Sequence, residues 1–195
     1  MSADEGRPPF LDAPVPDPYP YPESHDLRSG PDLHPSLPGL LPFIGVWRGR
    51  GSGEYPTIEP FDYAQEIRIS HDGRPFLFYE SRSWLVDPAG QAIRPAAREV
   101  GWWRVVMADG RPTDEVEAMF STPTGIMELH IGKVAGARLE MGTDAVMRTS
   151  TAKEVSAGHR LYGIVERELL YAQDLAAVGQ SLRPHLAAKL TRVAG

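Results

Sequence analysis

Histidine is the residue type with the widest chemical reach in this chain, and most of the six read as surface groups. His25 and His34 lie in a proline-rich N-terminal stretch, His71 in an Asp-Gly turn, and His159 in SAGHRL, which reads as a hairpin. All four are expected to be solvated. His130 lies within a strand but shares its face with Glu128, so it is expected to point outward. His185 is different. In SLRPHLAAKL, Pro184 stiffens the approach to it, and Ala187 and Ala188 leave open space beside the imidazole. A neutral imidazole facing an apolar cavity suits one axial position of a haem iron. On the residues alone the stronger reading is a cap on the rim of a barrel, and strict alternation groups it with Arg183 and Lys189, away from an interior. The residues alone leave both readings open.

Other catalytic patterns are missing. The chain has no G-x-S-x-G, P-loop, H-E-x-x-H or dinucleotide fingerprint, and its carboxylates are dispersed over surface-like positions without a pair marked for acid–base work. It contains no cysteine, which excludes disulfides, thiolate metal ligands, iron–sulfur clusters and covalent c-type haem attachment. With a net charge of −6 and scattered Lys and Arg, nucleic acid is not an expected partner. No signal-peptide pattern opens the sequence, and no apolar run approaches the ~18–20 residues of a membrane span. A soluble, cytoplasmic protein with no membrane association is expected.

The elements that must hold these side chains are strands. Residues 1–36 are dense in Pro, Asp and Ser and read as a disordered extension, in which Pro18 to Pro22 could dock an aromatic-lined partner. A short helical turn fits Pro35 to Phe43, with Leu37, Leu40, Leu41 and Phe43 as an apolar plug. From Gly45 the pattern is strand and turn. Phe61, Tyr63, Gln65, Ile67 and Ile69 alternate on one face of FDYAQEIRIS, and Asp-Gly or Gly-Pro-Asp clusters punctuate the rest. RELLYAQDLAAV has helical spacing too, but a lone helix there would interrupt a meander. About ten short strands point to an all-β, up-and-down antiparallel barrel over 37–195, large enough to enclose a ligand cavity. In GVWRGRG, alternation puts Gly45, Trp47, Gly49 and Gly51 on one face, taken as the interior, while Arg48 and Arg50 face water. This stretch is expected to be architectural, a strand that closes the barrel.

Several blocks in order resemble the nitrobindins: GVWRGRG, which fits a G-x-W-x-G-x-G signature, GEYPTIEPFDYAQE, PTGIMELHIG, STAKEV and AVGQSLRPHLAAKLTRV. The resemblance runs from Pro35 to Val193. It implies a ten-stranded barrel of the fatty-acid-binding-protein type carrying a ferric haem b. It also implies that His185 is the proximal iron ligand and that Thr57 and Lys153 border the cofactor, Lys153 placed to pair with a propionate. The family binds nitric oxide and isomerises peroxynitrite to nitrate at an open distal iron. That reaction needs no general base, so the absence of a catalytic constellation does not count against it. The expected partners are haem and small reactive nitrogen species. The oligomeric state stays open, a homodimer included. Two alternatives use the same barrel: a non-enzymatic haem or nitric-oxide carrier or sensor, and a metal-free barrel for a small apolar ligand.

Overall fold

The alternation in the second strand is the pattern on which the whole barrel is built. The computed structural model describes residues 14–195. A 3-10 helix, Pro38–Phe43, precedes β1 (Gly45–Tyr55), β2 (Ile58–Ser70), β3 (Leu77–Val86), β4 (Ala92–Ala108) and β5 (Arg111–Ser121). Then come β6 (Ile126–Ala135), β7 (Arg138–Arg148), β8 (Val155–Val165), β9 (Glu168–Ala177) and β10 (Arg183–Ala194). Each strand pairs with the next, and β10 closes on β1 in antiparallel register, Gly49 opposite Leu190. RELLYAQDLAAV is indeed a strand, β9. No helix among the described residues is long and apolar enough to cross a membrane.

The meander gives the barrel two unlike ends. At one end the 3-10 helix is the plug. Leu37, Leu40 and Phe43 are buried under it, whereas Leu41 turns outward. Pro38 suits the first position, where no backbone donor is needed, whereas Pro42 lies inside the helix and leaves it one hydrogen bond short. Trp47 locks the plug in place: its indole N–H donates to the Phe43 carbonyl at 2.8 Å. The Arg192 guanidinium donates to the Pro42 carbonyl at 2.6 Å and lies over the Trp47 ring. Trp47 therefore fills the closed end, as its strand pattern implies, and Arg48 and Arg50 are exposed.

The glycines of β1 are required by close approach. A Cβ on Gly49 would run into the Lys189 carbonyl of β10, and one on Gly51 into the Ala187 carbonyl. One on Gly53 would meet the Phe61 ring. The seam between first and last strand is thus closed backbone to backbone.

The proline-rich segment meets this closed end. Ser24 forms an isolated bridge with His71, with N–H to carbonyl distances of 2.7 and 2.8 Å. His71 is consequently not the solvated turn residue expected from its Asp-Gly context. It is 0% exposed, neither ring nitrogen has a partner among the described residues, and burial holds its pKa below the usual value. His34 is half-buried and bonded to the Ser36 hydroxyl. Pro18–Pro22 carries an edge-to-face contact between the exposed rings of Tyr19 and Tyr21. Residues 1–13 of the expected extension lie outside the described residues.

Candidate functional site

At the other end, β10 begins with an irregularity that decides the orientation of His185. Against β9, Pro184 pairs with Asp174 and Leu186 with Gln173, so His185 is an extra residue in a β-bulge. A bulge shifts the alternation by one position. His185 and Leu186 therefore line the same cavity, although strict period-2 reading puts them on opposite faces. Strict alternation therefore does not turn His185 away from the interior. Proline is tolerated at the preceding position because a bulge at a strand end leaves the ladder incomplete.

The imidazole is fixed on both sides. Its Nδ1 lies 3.0 Å from the Glu54 carbonyl oxygen, just beyond the last β1–β10 pair, Gly53 with Leu186. A carbonyl can only accept, so Nδ1 carries the proton. The neutral ring then keeps its lone pair on Nε2, the tautomer that ligates a metal. Tyr55 meets the ring edge-to-face at 5.3 Å. Tyr55 is itself anchored, for its hydroxyl accepts from the Ala177 N–H at 2.9 Å and lies 3.2 Å from the Leu175 and Ala177 carbonyls.

His185 separates two spaces. An outer cavity of about 320 Å³ at the rim is lined by Gly53, Glu54, Pro60, Phe61 and Leu186 among others. An inner cavity of about 130 Å³ runs down the barrel past Phe61 and Tyr63 to Gln65, Ser81, Ser83, Glu99 and Gln173. The inner space equals roughly four water volumes. It suits a small molecule, and a macrocycle would need the outer space as well. The Gln65 amide donates to the Ser81 hydroxyl at 2.9 Å, but its buried carbonyl oxygen has no partner among the described residues.

Below the inner cavity is a layer of buried charge. Arg160 of β8 is 1% exposed and donates to both oxygens of Glu99 on β4, at 2.6 and 2.7 Å, and to Glu128 on β6 at 2.8 Å. Its guanidinium lies 4.0 Å over the Phe120 ring. His130, also on β6, is 0% exposed, with Nε2 3.7 Å from the second Glu128 oxygen. Burial alone would raise the Glu128 carboxyl, but His130 and Arg160 outweigh it and hold it at about 2. Burial lowers the His130 pKa, so that ring is neutral at pH 7. Burial likewise raises Tyr79, Tyr171 and Tyr162, the last to about 12. These findings correct two expectations: His130 and Glu128 share a face, but it is the interior face, and the carboxylates are not all superficial. His159 is corrected too. It lies within β8, half-exposed, with Nε2 2.9 Å from Glu140.

Thr57 and Lys153 occupy connections at the same end as His185. Thr57 is exposed in the two-residue turn Pro56–Thr57 between β1 and β2, and Lys153 is exposed in the connection between β7 and β8. The topology thus brings the three expected residues to one rim without joining them by direct contacts. What the sequence pattern missed are Glu99, Glu128, His130 and Arg160. Their signal was present: Glu99 is in phase with the buried Trp103 and Val105, and Arg160 with the buried Tyr162.

The donor chemistry fits a haem. One imidazole, its Nδ1 engaged by the Glu54 carbonyl, borders both the rim cavity and the inner cavity together with Phe61 and Leu186. Residues 36–192 match the family model described as THAP4-like, heme-binding beta-barrel domain. A protein of Salinispora arenicola named peroxynitrite isomerase is 69% identical over 97% of this chain and 96% of its own length. One of Saccharopolyspora erythraea named ferric nitrobindin-like protein is 42% identical over 89% of this chain and 81% of its own. The crystal structure of Rv2717c from M. tuberculosis superposes with a TM-score of 0.72 at 41% identity, covering 83% of this chain and 99% of that one.

Proposed function

The chain belongs to the THAP4-like haem-binding β-barrel family, and on that premise we propose that it carries a ferric haem b on His185 and isomerises peroxynitrite to nitrate, with nitric oxide taken at the same iron. The observation that carries this reading is the Nδ1 contact with the Glu54 carbonyl at 3.0 Å, which leaves Nε2 free and pre-oriented. Relatives covering nearly the whole chain bear the name of the activity. When bound, the haem supplies an open iron position at which the O–O bond of peroxynitrite can break and its atoms rejoin as nitrate.

The protein's own part is binding and enclosure. His185 holds the iron, and Phe61 and Leu186 wall the site with apolar surface. Lys153 on its exposed connection pairs with a propionate, and the Thr57 hydroxyl donates a hydrogen bond at the pocket edge. Peroxynitrite and nitrate have the same atoms and charge, so no net proton has to be moved. The inner cavity joins apolar walls of Phe61, Tyr63 and Leu186 to the polar groups of Gln65, Ser81 and Glu99, so haem uptake, and not the lining, separates this reading from a metal-free barrel.

Haem titration of the purified protein tests the assignment. Wild type should bind one haem and show a ferric spectrum, and His185→Ala should lose both while keeping its fold. The cost to the apoprotein is small: one half-exposed hydrogen bond and one aromatic contact, about 1–2 kcal/mol together. Lys153→Ala should weaken haem binding, more so at low salt than at high. An unchanged His185→Ala spectrum and affinity would remove His185 as the ligand. Stopped-flow mixing with peroxynitrite decides between enzyme and carrier, since a carrier would neither speed the decay nor shift the product from nitrite to nitrate.

A further inference from the structure

We propose that the Glu99–Arg160–Glu128 cluster is a built-in negative charge at the floor of the haem cavity, which stabilises the ferric over the ferrous state of the iron. The proposal rests on the haem reading of His185. Glu99 and His185 line one continuous cavity, so the cluster and the axial ligand face the same enclosed space. Three strands converge to build the cluster, and Arg160 makes three charge-assisted hydrogen bonds within it at 2.6, 2.7 and 2.8 Å.

The sum of charge is the telling feature. Glu99 engages both terminal nitrogens of Arg160, which already gives a neutral bidentate pair. Glu128 adds a second carboxylate, 7% exposed, with one oxygen lacking any hydrogen-bond partner among the described residues. The group is therefore net negative. The ionisable neighbours packed on it do not cancel that charge: His130, Tyr79, Tyr162 and Tyr171 all face it in neutral form at pH 7. A buried ion cluster of this kind is no requirement for stability, since apolar replacements commonly serve as well or better. Over-neutralising Arg160 has a clearer use in electrostatics. In a water-poor interior, a fixed negative charge favours the more positive oxidation state of a nearby metal, and net charge and burial are among the main settings of a haem potential.

The test is spectroelectrochemical titration of the haem-loaded protein. Glu128→Gln keeps the shape and an acceptor for Arg160 but removes the excess charge. Its ferrous-to-ferric ratio at a fixed potential should rise about tenfold, a positive midpoint shift of about 59 mV for one electron, and autoxidation of the reduced protein should slow. Glu99→Gln should shift in the same direction and serves if Glu128→Gln does not fold. Glu66→Gln is the control. Glu66 is equally shielded but sits on the outer wall between Arg48 and Arg82, and its removal should leave the midpoint in place. Haem-loaded Glu128→Gln and Glu99→Gln with the wild-type midpoint would overturn the role of the cluster while leaving His185 as ligand intact. Wild-type protein that takes up no haem would overturn both.

Discussion

Replacing Arg160 by methionine keeps the aliphatic volume but takes the counter-charge from two buried carboxylates. Arg160 is 1% exposed, and the Glu99 and Glu128 side chains are 14% and 6% exposed. Removing one member of such a cluster costs about 3–5 kcal/mol, because the remaining charges stay buried without compensation. Against a total stability of about 5–15 kcal/mol, that is a large fraction. The loss should depend on pH with a defined sign. Without Arg160, burial and mutual repulsion raise the carboxyl pKa values above those of the unfolded chain, so stability is retained in acid and lost as pH rises. Urea unfolding of the apoprotein, followed by tryptophan fluorescence, should show a greater deficit at pH 8 than at pH 5. The triple variant Arg160→Met, Glu99→Gln, Glu128→Gln removes the stranded charges and should recover most of the loss. A deficit below about 1 kcal/mol for Arg160→Met, or a triple variant no better than the single, would refute the account of the layer as a mutually compensating cluster.

In the wild type the sign is opposite. The Glu128 carboxyl is lowered from 4.5 to about 2 by His130 and Arg160 against the opposing effect of burial. The stability this gives is present above pH 4.5 and lost as pH falls toward 2. Acid unfolding curves of wild type and Glu128→Gln should converge over that window, and a constant gap between them would contradict it. Gly49→Val should push against the Lys189 carbonyl and the Leu190 Cα of β10, the latter 2.9 Å from the new Cβ. Opening that seam should lower apoprotein stability by about 1–3 kcal/mol or more and reduce haem uptake with it. If both were unaffected, the glycine would not be needed for closure.

The barrel was legible because its physical signal is repeated. In β2, Tyr63, Gln65, Ile67 and Ile69 all fall on the buried face, as alternation requires. β9 could be separated from a helix only through its neighbours: Leu169 and Tyr171 are buried in strand phase, and the helical spacing of the same segment is incidental. Trp47 and its glycines were legible for a similar reason, since Gly and a large ring on one face imply a tight interior contact. His71 was not. An Asp-Gly turn normally faces water, but here the N-terminal segment packs on it, bridged to His71 at Ser24 and meeting Gly73 through Pro31.

Alternation failed at the site itself, once by an added residue and once by an assumption about polarity. At His185 the bulge breaks the period, so a correct rule applied to the wrong phase turns the imidazole outward. Its tautomer depends on the Glu54 carbonyl, 131 residues away in the chain, and no local pattern encodes that contact. At Glu99, Glu128 and Arg160 the period held. The error lay in treating charge as evidence of exposure. Two opposite charges each in phase with buried aromatic residues are better read as partners across the interior, because neither could be buried alone. Both failures fall where the barrel departs from a simple apolar filling. The bulge brings the His185 imidazole to the inner cavity, and the charge layer stops the apolar core short of it. The space between them is what the sequence pattern could not show, and it is there that a haem and its small ligands would be held.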